Sequence, residues 1–298
     1  QVGSVGPATF FEVAFERFFP QRPAGSAPWR DAETVPGPTT DLFSRRAREL
    51  GVVVVLVLGN IVFHAEVLMT GNAGYGTRIA IAAVILMISL IGGRIVPSFT
   101  NNWLNRNNPG RLPVPFSQFD MVALVISAFA LVTWIITPTQ WLSGVLLIVA
   151  GCLQAVRLAR WAGDRTVADR LVLILHIGYA FVPIGFFMVG LATFTAEVPA
   201  TAGIHAWTAG AVGLMTVAVM TRATLGHTGQ PLQAGRATQA IYALLLAGVL
   251  VRIVAAFMGS VDLLEFAGLC WTAAFILFVL LYGPLLAMRS PGWSETRR

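Results

Sequence analysis

Four histidines, His64, His176, His205 and His227, are the only imidazoles in the 298 residues, and each lies in or at the end of an apolar run. Ionisable groups are costly inside a bilayer and mark function there, and imidazole is a ligand suited to iron, copper and zinc. A lone membrane histidine is commonly a hydrogen-bonded helix contact. Four, with none elsewhere in the chain, point instead to metal or haem ligation. His205 and His227 stand 22 positions apart, roughly 33 Å along a helix at about 1.5 Å per residue, so they cannot share one metal. The direction of each span, taken from the charge pattern below, gives an outer pair, His64 with His205, and an inner pair, His176 with His227. Either pair suits axial ligation of a haem or part of a copper site.

Around these imidazoles the spacing supplies candidate supporting groups. Asn60 precedes His64 by four residues and shares its helix face, where it would orient the ring. Tyr179 follows His176 by three residues. Pro183 removes the helical hydrogen bond to the carbonyl of Tyr179, which would kink that span and free an acceptor. Arg94 and Arg222 sit toward the inner ends of their runs, placed either to neutralise haem propionates or to snorkel to the interface. Arg252 lies deeper, within reach of Asp262 or Glu265 as a structural ion pair. Met215 and Met220 are soft copper donors by type and ordinary filler by frequency.

Other chemistries are excluded by what the sequence lacks. Cys152 and Cys270 are the only cysteines, and neither forms a CxxC or CxxCH arrangement, so no covalent c-type haem site or thiol redox motif is present; the haem expected is a non-covalent one of b-type. There is no phosphate-binding loop, dinucleotide-binding glycine fingerprint, HExxH or GxSxG. No catalytic residue is assigned.

The elements that must position these residues follow from composition. Of the residues, 56% are hydrophobic and 11% charged, and mean hydropathy is +0.74; a soluble domain carries about 25% charged residues. Eight apolar runs cover roughly 48–70, 75–99, 119–137, 140–160, 169–194, 203–225, 238–259 and 263–288, each long enough to cross about 30 Å of hydrocarbon. All 20 basic residues are Arg. They gather in every second loop, which sets both ends of the chain on the cytoplasmic side. The net charge of +6 therefore reflects membrane orientation, not nucleic-acid binding. The expected fold class is all-α, a polytopic transmembrane bundle of these eight spans over residues 46–290. Residues 1–45 read as an interfacial and linker segment, with Phe10, Phe11, Phe15, Phe18 and Phe19 ahead of a Pro- and Gly-rich stretch. Residues 291–298 form a short cytoplasmic tail. Ala206/Gly210 and Ala209/Gly213 are small-xxx-small pairs that permit close helix packing. The start at Gln1, without a signal peptide, suggests a start that has been removed or a piece of a larger protein.

Several strings carry a family resemblance. The segments HAWTAGAVGLMTVAVMTRATLGHTGQPL (205–232), GGRIVPSFTNNWL (92–104), NIVFH (60–64) and LHIGYAF (175–181) resemble the NnrS family of bacterial nitric-oxide-response membrane proteins. The first string is long and specific, the second less so, and the last two are short. The resemblance implies an inner-membrane protein holding haem and copper, linked to protection against nitric oxide and nitrosative stress during denitrification. All four histidines, with Arg94 and Arg222, fall in or directly beside these strings. Members of the family are longer, with more spans and an early HxHE-type motif that this sequence lacks, and residues 1–45 match nothing in it. The expectation is an amino-terminal third that is absent here or supplied by another polypeptide; if that motif supplies ligands, one site is incomplete.

The leading expectation is thus a haem/copper membrane protein that binds, and transforms if a coordination position stays open, nitric oxide, served by an unidentified electron donor and by other membrane subunits. A fully bis-histidine haem would make it an electron carrier. The alternatives are a transporter for a metal or small solute, which the lack of an internal repeat disfavours, and an assembly subunit.

Overall fold

The computed structural model describes residues 40–287. Among them the regular structure is entirely helical. The helices are α1 (Thr40–Thr70), α2 (Gly74–Asn107), α3 (Gln118–Ile136), α4 (Trp141–Ala159), α5 (Arg170–Leu191), α6 (Ala200–His205), α7 (Met215–His227), α8 (Arg236–Met258) and α9 (Val261–Ala287). A π-helical stretch, Ala206–Leu214, joins α6 to α7 without a break, and a 3₁₀ turn, Gly163–Arg165, lies between α4 and α5. Among the described residues seven helices are long and apolar enough to cross a membrane, α6, the π stretch and α7 counting as one, and the fold is a polytopic helical bundle. The first predicted span corresponds to α1, whose described apolar part is Leu56–Thr70. The chain divides into two compact units at Leu58/Gly59, and every candidate site residue lies in the second. The predicted interfacial segment and cytoplasmic tail lie outside the described residues.

Helix ends follow local chemistry. At the start of α3 the Asp120 carboxylate, three residues on, accepts from the Ser117 backbone N–H at 3.0 Å, a capping arrangement. Asp169 caps α5, its Oδ1 accepting from Leu171 and Val172 N–H. α8 stops at Gly259, which adopts φ +61°, the left-handed conformation open to glycine. α2 runs to Asn107, well past the predicted end near 99. Val96, Thr100 and Leu104 are all buried, so a stripe at four-residue spacing keeps the helix on its neighbours after its hydropathy has fallen.

α5 is the central helix: Leu171, Leu175, Tyr179, Val182 and Phe186 are each fully buried along its length. Since lipid tails are as apolar as leucine, close van der Waals packing and interhelical hydrogen bonds hold such a bundle. Small residues make that approach possible. A Cβ on Gly185 would strike the Trp207 ring, and one on Gly210 the Phe181 ring. Gly213 likewise lies against Trp271. The small residues of 206–213 thus do pack closely, but on a π-helical backbone, whose extra residue per turn the small-xxx-small spacing does not reveal. Trp207 Nε1–H donates to the Val182 carbonyl at 3.0 Å, next to Pro183 inside α5; the acceptor is Val182, one turn on from the Tyr179 carbonyl that the sequence points to.

Candidate functional site

The four histidines occupy distinct settings. His64 is exposed on α1, edge-on to Phe63 with ring centroids 5.4 Å apart, and Asn60 is exposed one turn before it. His227 is exposed at the end of α7. His205 is half-buried where α6 gives way to the π stretch. Only His176 is buried, 7% exposed. Among the described residues no hydrogen bond or ring contact joins His64 to His205 or His176 to His227, and no group of three or more His, Cys, Asp or Glu converges as a metal site.

The tautomer of His176 follows from its partner. Its Nε2 lies 2.8 Å from Thr100 Oγ1, and the Thr100 hydroxyl donates to the Val96 carbonyl at 2.8 Å. One hydroxyl hydrogen cannot serve both, so Nε2 carries the proton and donates, leaving the ring's lone pair on Nδ1. That edge faces Gly163 in the 3₁₀ turn, where a Cβ would stand 2.5 Å from Nδ1. Gly163 is therefore what lets the imidazole occupy this position. Replacing Thr100 with Val strands the Nε2–H, and unfolding should become easier by about 1–3 kcal/mol. Thermal midpoints of the variant and the parent in one detergent check this, with Thr100→Ser expected to recover most of the loss.

Arg222 reaches the same turn of α2. Its guanidinium carbon stacks 4.2 Å from the Phe99 ring, and Phe99 adjoins Thr100. Arg222 Nη1 and Ser89 Oγ are the buried side-chain polar atoms without a partner among the described residues. Arg94 is exposed on α2 and interacts with a neighbour of its own.

The strongest polar constellation is one that residue types and spacing did not single out. Arg157 on α4 is 1% exposed. Its Nε donates to Asp120 Oδ1 at 3.1 Å, and its Nη1 donates to the Ser89 carbonyl at 2.8 Å and the Tyr179 hydroxyl at 3.0 Å. Tyr179, expected to orient His176, instead donates to Gln154 Oε1 at 2.7 Å. Gln154 Nε2–H donates to Ser127 Oγ at 2.9 Å, and the Ser127 hydroxyl donates to the Ala123 carbonyl. Arg160 adds a second cation 3.4 Å from Asp120. Residues from α2, α3, α4 and α5 are tied together at the end of the bundle that carries Arg-rich loops. Gly93 leaves the room that the Arg157 guanidinium fills.

At the opposite end His205 opens onto a cavity of about 290 Å³ that Arg252 also lines. Asp262 and Glu265 are exposed and do not line it, and no salt bridge joins either to Arg252 among the described residues. The ion pair expected there is replaced by a guanidinium facing a cavity: Arg252 sits on α8 where it meets His205, while the carboxylates of α9 turn outward.

No curated protein and no solved structure matches the chain. The family model described as NnrS protein matches residues 40–289. That range takes in all four histidines, the Arg157–Asp120 network and all seven spans, and the chain belongs to the NnrS family of multi-pass membrane proteins.

Proposed function

We propose that this chain is a haem- and copper-binding protein of the bacterial inner membrane that binds nitric oxide and protects against nitrosative stress. The observation that carries the haem half of the reading is Arg222, whose buried Nη1 has no partner among the described residues. A buried guanidinium N–H left unpaired is costly, and a propionate carboxylate is the group that would satisfy it. Stacking on Phe99 fixes the plane of the fork without using its hydrogen-bonding edge.

The imidazoles fit unequally. His64 and His227 are exposed on their helices and present accessible rings. His176 keeps its lone pair on Nδ1, which faces Gly163 without room for even a methyl group, so it would serve as an axial ligand only if that turn moved aside, the Nε2–H bond to Thr100 then orienting the ring. His205 has Arg252 beside it on the same cavity, and a fixed positive charge opposes a metal cation there. For copper, the described residues hold no convergent set of three donors and do not by themselves complete a site. The chemistry a haem supplies when bound is capture of a diatomic gas at an open coordination position. The chain's own contribution is to meet the carboxylate with Arg222 and to hold that end of the bundle rigid through Arg157.

An optical spectrum with iron and copper quantitation on the purified chain, before and after dithionite and nitric oxide, tests the reading. A reduced haem spectrum that shifts with nitric oxide is expected. Arg222→Gln should lower haem retention about tenfold, the value of a charge-assisted hydrogen bond, with the fold intact. Absence of haem from the chain, or full retention in the variant, sinks the assignment.

A further inference from the structure

We propose that the cavity between α6, α8 and the start of α9 is an oxyanion site, built to take a phosphate-type headgroup or a free anion of that chemistry. It is distinct from the Arg222 end of the bundle and independent of any haem. Its volume is about 290 Å³, close to the lower bound of small-ligand sites and room for about ten waters at 30 Å³ each. The polar lining is Thr201, His205, Arg252 and Ser260; Ala255 and Leu264 stand among the apolar lining.

Every polar group in that set donates or is able to. Arg252 brings a positive charge and five N–H donors, and among the described residues no carboxylate lines the cavity to neutralise it. Ser260 Oγ already accepts from the Leu263 N–H at 3.3 Å, which leaves its hydroxyl hydrogen for a ligand. Thr201 offers a second hydroxyl and His205 an imidazole N–H. A half-buried guanidinium without a counter-ion in a partly apolar cavity is destabilising unless an anion joins it. The same positive charge excludes a metal cation. The lining is also mixed, with Ala255, Ala256, Val261 and Leu264 beside the donors, and the cavity lies at helix ends, where headgroups of a bilayer sit. A lipid phosphate and a free phosphate or nitrite would be held by the same donors.

Native mass spectrometry of the full chain in a neutral detergent tests this, with dioleoylphosphatidylglycerol, dioleoylphosphatidylcholine, inorganic phosphate and nitrite added separately. Binding of phosphatidylglycerol in preference to phosphatidylcholine, about ten- to a hundredfold weaker in Arg252→Gln, supports the site and assigns it to a lipid headgroup. Competition of that binding by inorganic phosphate or nitrite, or their binding alone with the same loss in Arg252→Gln, supports it with a soluble anion as occupant. Arg252→Lys keeps the charge and should lose less, while Arg106→Gln, exposed at the far end of α2, should lose nothing. A thermal midpoint for Arg252→Gln no lower than the parent's shows that any loss is not misfolding. Equal anion binding by the parent and Arg252→Gln, or no anion binding by the parent, overturns the proposal. None of these readouts depends on haem or copper, so the outcome is separate from that of the nitric-oxide reading.

Discussion

Replacing Asp120 with Asn will cost the chain about 3–5 kcal/mol, the penalty of leaving a buried charge without its partner. Arg157 is 1% exposed and holds a full charge away from solvent. Asn keeps an amide oxygen that can still accept from Nε, but together with the Ser89 carbonyl and the Tyr179 hydroxyl it leaves the cation with neutral acceptors only. The reverse change is milder. In Arg157→Met, Asp120 retains Arg160 at 3.4 Å and the Ser117 donors, and the Met side chain fills much of the vacated volume. The double variant should recover most of the loss, because two apolar or neutral groups of similar size replace an ion pair at little cost. Thermal midpoints of the three variants in one detergent decide it. An Asp120→Asn chain as stable as Arg157→Met would show that the pair is solvated and the network loose.

This network also marks where sequence reasoning falls short. The positive-inside pattern takes Arg157 as one of several basic residues flanking a loop, since Arg160, Arg165 and Arg170 follow closely. What separates it from them is Gln154 three residues earlier: two polar side chains on one face of an otherwise apolar helix. Asp120, an acid just inside the preceding apolar run, is the matching signal. These three residues are the sequence signal of a buried polar cluster, but that they meet depends on helix packing across 37 positions. Apolar periodicity, by contrast, dictates the bundle and most of its boundaries, because a run long enough to span lipid has few alternatives.

The histidines show a different limit. Hydropathy orders His64, His176, His205 and His227 by depth along their helices, but which side of a helix each occupies depends on packing. Thr100 reaches His176 from a helix 76 positions away in sequence, and the part of α2 that carries it continues beyond the apolar run. Arg222 is legible as a residue near the inner end; that one of its nitrogens is buried without a partner among the described residues is not, since burial of a single atom depends on Phe99 and its neighbours. The π-helical backbone at 206–214 has no residue pattern of its own. It is recognised only through the company that Trp207, Gly210 and Gly213 keep.

Gly185→Ala is expected to be among the most damaging single-methyl additions in the chain, at about 2–4 kcal/mol. The new Cβ would lie inside 3.0 Å of the Trp207 Cδ1, Nε1 and Cγ atoms, and neither partner has slack. Trp207 is fully buried, edge-on to Trp134 at 5.4 Å and Phe186 at 5.1 Å, and held by its bond to the Val182 carbonyl. The ring must therefore move as a unit, losing that hydrogen bond and disturbing the π stretch on which it stands. A double-mutant cycle isolates the cause. In a Trp207→Leu background the obstruction is gone, and Ala becomes the better helix former by roughly 0.5–1 kcal/mol, so the effect of Gly185→Ala should vanish or reverse sign. Were it equally harmful in both backgrounds, the helix contact between α5 and the π stretch would not be what requires glycine at this position.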